Sequence, residues 1–375
     1  MNTPSHTKKE LSQQFKKYAF FFALAPAPML YASYLIGMQF DLLNIMAYLL
    51  VAFAFVFFPL LDLMIGEDKE TGSHDWHEHG LFYDFIIYLS PLVQIVTVIW
   101  ACSVFEEFST AGQIGWILST GSAGTIFAVN IAHELMHRRE KFGRFLGGLI
   151  YSVILYPGVK IRHARQHHPH VGTADDPGTS RFNQTTYQFI ASVYLTSIPT
   201  AWTLAAYRKK KTGAPLWWLL NEMVGWLVLC ALFVVSAYLY FGISGVIFIF
   251  FQGLVGAFIL EAVNYTTHYG LLRQKLPNGK YEPATRMHAW DHNSFLINAL
   301  LINAQRHGDH HEAPAVPYQS LIFHRDNPHL PGSYFGMALV AFIPPLWRKI
   351  MHPRLYEFYK SQGIDYDQLR ASVQQ

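Results

Sequence analysis

Nine of the nineteen histidines gather in four short clusters. They are His133 and His137 in H-E-L-M-H, His163, His167 and His168 in H-A-R-Q-H-H, His268 in N-Y-T-T-H-Y-G, and His307, His310 and His311 in H-G-D-H-H. Neutral imidazole is a ligand for transition metals, and zinc, copper, iron and nickel all suit it. Residues four apart on a helix share a face, so His133 and His137 can grip one ion together. His163 and His167 repeat that spacing, His168 can turn toward a second ion, and the last cluster repeats the theme with a three-residue step. A transition-metal site takes about four to six ligands, so nine imidazoles imply two metals.

H-E-x-x-H alone is also a zinc-protease signature. That chemistry needs only one more ligand and would leave seven clustered histidines idle. Of the other histidines, His74, His77 and His79 in H-D-W-H-E-H-G fit no helix face and read as a polar loop suited to docking a partner. His170, His288, His292, His324, His329 and His352 read as surface residues. Glu134 and Asp309 sit inside the clusters and are candidates to hydrogen-bond a ligating imidazole, as ligand-orienting carboxylates do. Asp175 and Asp176 are weaker candidates, because an Asp pair before Pro177 is a natural turn. The two cysteines, Cys102 and Cys230, form no C-x-x-C pair, which excludes a sulfur-ligated cluster and a disulfide framework.

Each cluster lies just past an apolar stretch. Hydrophobic residues make up 51% of the 375 and charged residues only 14%, a balance that points to one polytopic membrane unit, residues 1–375, of the all-α class. A bilayer core needs roughly 20 apolar residues in a helix. Six spans are expected, at about residues 18–40, 42–63, 85–105, 109–132, 223–241 and 246–262, with a kink in the first at Pro26 and Pro28 and a turn between the last two at Gly242-Ile-Ser-Gly245. The shorter runs Phe145–Val159 and Gly332–Trp347 read as interfacial or re-entrant elements, and the more polar Phe182–Tyr207 as a helix along the membrane surface.

Basic residues orient the bundle, because Lys and Arg stay on the cytoplasmic side of short loops. Lys8, Lys9, Lys16 and Lys17 precede the first span, seven basic residues from Arg138 to Arg165 follow the fourth, and Arg273, Lys275 and Lys280 follow the sixth. The connections near Asp41, Glu106-Glu107 and Gly242 have none. All four clusters are therefore expected on the cytoplasmic face, with both termini. The mildly basic balance is accounted for by topology and anionic lipid, with no aromatic-interleaved basic stripe to suggest nucleic acid. No cleavable signal is expected at the first apolar run, which is too long for one.

Over most of its length the chain resembles the integral-membrane alkane 1-monooxygenases. The resemblance rests on the four boxes in this order, on Pro59-Leu-Leu-Asp62 and Gly66-Glu-Asp68, on N-I-A-H-E-L-M-H-R-R at 130–139, on L-I-N-A-Q-R-H-G-D-H-H at 301–311 and on Y-Q-S-L at 318–321. It implies a bacterial inner-membrane enzyme in which the nine histidines hold two non-haem irons. It further implies O₂ as co-substrate, an apolar hydrocarbon as substrate, and electrons from rubredoxin and its NADH-dependent reductase. One position departs: the family's N-Y-x-E-H-Y-G has Thr267 here in place of the glutamate. Xylene monooxygenases also lack that glutamate, so methyl hydroxylation of alkyl aromatics is one alternative. A membrane fatty-acyl desaturase or hydroxylase is another, and a transporter a distant third, since the spans carry almost no charge.

Apolar substrate concentrates in lipid, so a tunnel opening between helices and ending at the metals is expected, with Phe53, Phe55, Phe57 and Phe58 among its candidate lining. Protons compete with metal for imidazole, so occupancy is expected to fall below about pH 6.5.

Overall fold

The computed structural model describes residues 14–73 and 80–374, which fold into helices joined by loops, with isolated backbone bridges as the only β pairing among the described residues. Lys8 and Lys9 of the basic count, and the loop histidines His74, His77 and His79, lie outside the described residues. Helices α1 (Gln14–Leu24) and α2 (Pro26–Gln39) meet at 54°. Pro26 opens the second of them, as the missing proline N–H requires. Next come α3 (Leu43–Ile65), α4 (Leu81–Glu107) and α5 (Thr110–His137), then α6 (Lys141–Val153), α7 (Gly158–Arg162), α8 (Thr186–Lys210) and α9 (Glu222–His268). Five of these, α3, α4, α5, α8 and α9, are long and apolar enough to cross a bilayer, and the bent α1–α2 pair makes a sixth.

The 47-residue α9 is two arms. Gly242 breaks it with φ 65° and ψ −155°, a conformation open essentially only to glycine. Beyond the break the chain doubles back, so a Cβ on Gly245 would lie 2.6 Å from the carbonyl oxygen of Ala237. Both ends of α9 consequently reach one face: Glu222 pairs with Lys160 and Arg165 beside one histidine cluster, and His268 belongs to another. At the other end of the bundle two connections meet: the Asn44 amide oxygen accepts from Ser109 N at 2.8 Å, and Tyr34 donates to Glu107 at 2.6 Å. This is the end without basic residues.

Helix α8 lies across the base of the α9 hairpin. Its start packs Phe189 on Tyr265 of one arm, and Ala201 and Ala205 near its end pack on Met223 and Trp226 of the other. Phe182–Tyr207 is expected along the membrane surface, yet the helix it forms, Thr186–Lys210, is also long and apolar enough to cross a bilayer. Helix α6 is re-entrant: it runs back down beside α5, with Gly147 against the Ala132 carbonyl, and reaches Val153, whose carbonyl accepts from Gln252 Nε2 at 3.1 Å. A turn with Leu155 at φ 53° then sends α7 back up to His163.

Lipid tails are as apolar as the side chains, so helices in a bilayer associate by close packing rather than by the hydrophobic effect. Gly121 of α5 serves that purpose, since a Cβ there would come 2.7 Å from the Val255 side chain. Residues from Leu271 onward fold over the histidine face, with α10 (Phe295–Leu300), α11 (His307–Glu312), α12 (Tyr334–Ala341), α13 (Pro344–Ser361) and α14 (Tyr366–Gln374). Arg306, fully buried, ties this cap to the bundle through Asp68 at 3.0 Å, and Asp68 also takes Lys16 at 2.5 Å. Gly332–Trp347, expected as an interfacial or re-entrant element, is α12 and the start of α13, with Trp347 buried against Tyr265 and Tyr269.

Candidate metal centre

Where the spans meet the cap, the nine clustered histidines converge in two groups. His133, His137, His163, His168 and His310 form one; His167, His268, His307 and His311 form the other. Within each, one ring nitrogen per residue lies within 4.8 Å of all the rest. The groups share a wall, with His168 and His311 rings 4.6 Å apart between centroids.

The division differs from the spacing argument. His163 and His167 fall in different groups; His163 pairs with His168. Residues His163–His167 form a turn of π-helix, in which the His168 N–H bonds to the His163 carbonyl. A π-turn closes at i+5, so residues five apart stack on one face and His167 is turned to the other. In α11 the ordinary helical step holds: His307 and His311 fall together and His310, turned aside from them, joins the first group. A second π-turn, Gly124–Val129, lies in α5 just before His133.

The nitrogens fit cations. His133, His137, His167 and His310 each bury an Nε2 that has no hydrogen-bond partner. His163 and His168 aim Nε2 atoms at each other at 2.9 Å, and His307 Nε2 stands 3.1 Å from His268 Nε2 and 3.2 Å from His311 Nε2. Buried lone pairs converging in this way are stabilised by a shared positive ion. Among the described residues no carboxylate joins either group. All-imidazole sets favour iron, copper, zinc or nickel over magnesium or calcium, which prefer oxygen. Burial, and secondarily the neighbouring imidazoles, hold His163, His168, His307, His310 and His311 well below the ordinary histidine pKa, which keeps them neutral and ready to ligate.

Outer contacts fix ring orientation. Asp176, the weaker sequence candidate, accepts from His167 Nδ1 at 2.8 Å, and is itself held by Thr179 Oγ1 at 2.7 Å and Gly178 N at 2.9 Å. Burial pushes its carboxyl up, but the adjoining His167 imidazole and these hydrogen bonds outweigh that and hold it below the usual carboxylate range. Asp175 next to it is exposed. Glu134 pairs with Arg138 at 3.4 Å, while Asp309 accepts from His324 Nε2 and from Ile322 N, both at 2.9 Å. His288, expected on the surface, is buried, and its carbonyl accepts from His268 Nδ1 at 3.2 Å. A backbone acceptor has no sequence signature, so nothing in the residue pattern could have marked it. Of the six histidines read as surface residues, only His170 is exposed.

An apolar cavity ends on this centre. His133, His163 and His307 form its floor; Ile126, Val129, Tyr151, Ile259, Asn264 and Thr267 are among its walls. Thr267 is buried, and its hydroxyl donates to the Asn264 carbonyl at 3.0 Å. Beside it an apolar groove runs between α3, α5, α9 and α12, lined by Val51, Phe55, Leu118, Phe258, Ile259 and Phe342 among others. Ile259 borders both spaces. Of the four tunnel candidates only Phe55 lines this route. Phe53, Phe57 and Phe58 line neither space and instead pack on one another, with Phe53 5.0 Å from Phe57 and 5.8 Å from Phe58. Their stretch is itself a π-turn, Phe53–Phe57, which rotates successive rings away from α-helical positions.

Comparison with known proteins adds a family. The sequence model described as fatty acid desaturase matches residues 110–339. Alkane 1-monooxygenase 2 of Alcanivorax borkumensis is 34% identical over 95% of each chain. Alkane 1-monooxygenase 1 of Pseudomonas aeruginosa is 34% identical over 92% of this chain and 93% of its own. The hydroxylase component of xylene/toluene monooxygenase from Pseudomonas putida is 29% identical over 67% of each. An alignment that runs through all four histidine clusters and nearly end to end leaves one conclusion: this chain belongs to the alkane 1-monooxygenase family.

Proposed function

We propose that this protein hydroxylates the terminal carbon of an alkane or similarly apolar hydrocarbon, with two non-haem irons held by the nine histidines. O₂ is the co-substrate, and rubredoxin, kept reduced by its NADH-dependent reductase, supplies electrons. The observation that carries this reading is the apolar cavity whose floor is His133, His163 and His307, one or more from each metal group, in a chain whose relatives carry the alkane 1-monooxygenase name. Bound irons would supply the oxidising power that an unactivated C–H bond demands.

The chain's own residues do the positioning. His167 donates Nδ1–H to Asp176 and His268 donates Nδ1–H to the His288 carbonyl, so each presents Nε2 to the metal. Hydrocarbon gathers in the bilayer at about 0.8 kcal/mol per methylene. From there the groove between α3, α5, α9 and α12 leads past Ile259 into the cavity. Its walls exclude water, and a chain entering lengthwise reaches the histidine floor with its end carbon first. The orientation that places this floor at the cytoplasmic side of the inner membrane rests on the one-sided basic residues.

Thr267 favours a second reading. It lines the cavity where the family carries a glutamate, and a relative is the xylene/toluene hydroxylase component. A short neutral side chain leaves width for a ring, so methyl hydroxylation of alkyl aromatics is the runner-up.

Incubation of purified protein with an alkane series, toluene and xylenes under O₂, with a reconstituted rubredoxin chain and gas chromatography of products, tests this directly. The account expects primary alcohols. Benzylic alcohols alone would favour the runner-up, and double bonds placed in acyl chains would dismiss both.

A further inference from the structure

A second pocket, on the histidine face but outside the metal centre, is built for an anion. It lies between α6, α7, the His163–His167 turn, the end of α8 and the start of α9. Five cations line it, Lys141, Arg144, Lys160, Arg165 and Arg208, against one carboxylate, Glu222. Glu222 pairs with Lys160 and Arg165 and stands 3.9 Å from Arg208. One carboxylate leaves this ring strongly under-neutralised. Arg165 also buries an Nη1 that has no hydrogen-bond partner, an unmet donor that is costly in a protein interior.

The same place is where the molecule turns from apolar to polar. On one wall, α6 presents Phe142 at 63% and Phe145 at 46% exposure just below Arg144 and Lys141. On the other, Leu219 and Leu220 are 57% and 59% exposed immediately before Glu222, and Lys160 sits 4.8 Å over the Trp226 ring. Exposed aromatic and leucine side chains beneath a ring of Lys and Arg mark the headgroup level of a bilayer. Basic pockets between helices on the cytoplasmic side are where anionic headgroups bind.

We propose that this pocket holds the phosphate headgroup of an anionic phospholipid, its acyl chains lying against Phe142, Phe145 and Leu220. The phosphate would receive hydrogen bonds from Arg165, Arg208 and Lys141. Because Arg165 stands two residues from both His163 and His167, the bound lipid would also brace the turn that divides the two metal groups.

The test uses the full-length protein purified with lipid and examined by native mass spectrometry after exchange into vesicles of phosphatidylcholine alone or mixed with phosphatidylglycerol. The account expects one phosphatidylglycerol retained in preference to phosphatidylcholine. It also expects a loss of affinity of roughly tenfold or more in the Lys141→Gln, Arg208→Gln double variant, two outer charges whose removal leaves the close Glu222 pairs with Lys160 and Arg165 in place. Lys141→Arg, Arg208→Lys keeps the charge, should keep the lipid, and controls for misfolding. Equal retention of both lipids, or equal affinity in the charge-removed and charge-kept variants, would overturn the proposal. Displacement of the lipid by millimolar inorganic phosphate would likewise overturn it in favour of a free-phosphate site. So would unchanged lipid retention with weakened rubredoxin binding, which would make the surface a protein dock.

Discussion

At the residue scale, the centre is a set of nine imidazoles and the groups that aim them. Because the two metal groups draw on different histidines, single substitutions should act on them separately. His310→Ala removes a ligand from the five-histidine group and His311→Ala from the four-histidine group, so each should lower iron per chain from about two toward one and abolish turnover; iron that stays full in both variants would refute the assignment. Asp176→Asn keeps the shape but loses the charge beside His167, and metal affinity should fall about 10- to 100-fold, read by competition with a chelator. Acid sensitivity follows from burial. With their folded pKa held below the free value, these imidazoles stay unprotonated in the native protein while the unfolded chain takes up protons near pH 6.5. Stability of the metal-free protein should therefore rise with pH through that window and be lost as pH falls below it. Iron loss from the folded protein should set in lower than pH 6.5, a revision of the simple expectation from free histidine. Melting curves at stepped pH, with and without iron, check both. The nine histidines stood out by clustering alone. Their division into five and four did not, since a π-turn at His163–His167 has no residue signature, and Asp176 looked like a turn residue because it is one.

At the scale of elements, the long apolar runs were legible because a bilayer demands length and hydropathy that little else does. The kink at Pro26 and the reversal at Gly242 were legible too, being marked by the two residues with special backbones. Gly242→Val should strain the hinge by about 1–3 kcal/mol, lowering the melting temperature and the yield of folded protein in membranes. An unchanged melt would mean that the reversal tolerates an ordinary residue. Helix α6 was the ambiguous element: an apolar run of its size serves equally as an interfacial or a buried helix, and only contacts such as Gln252 with Val153 settle that it enters the bundle. The tunnel lining was misread for a related reason. Four phenylalanines on α3 were conspicuous, yet the π-turn there points only Phe55 into the groove.

At the scale of the whole molecule, the proposed function makes the bundle a collector of apolar substrate from lipid on one side that meets aqueous redox partners on the other. The two histidine groups sit where the spans meet the cap that Arg306 and Asp68 pin down. Ile259, bordering both groove and cavity, is the common point of the proposed route. Ile259→Trp should shift the preferred alkane to shorter chains and lower turnover on long ones by about tenfold, while Ile259→Ala should do the reverse; an unaltered chain-length profile in both would place the route elsewhere. The central claim is nevertheless the metal pair. Iron quantification combined with Mössbauer spectroscopy on a fully active preparation tests it most directly. The account predicts about two irons per chain, both in nitrogen-rich surroundings. A single iron, or zinc alone, in protein of full activity would contradict it.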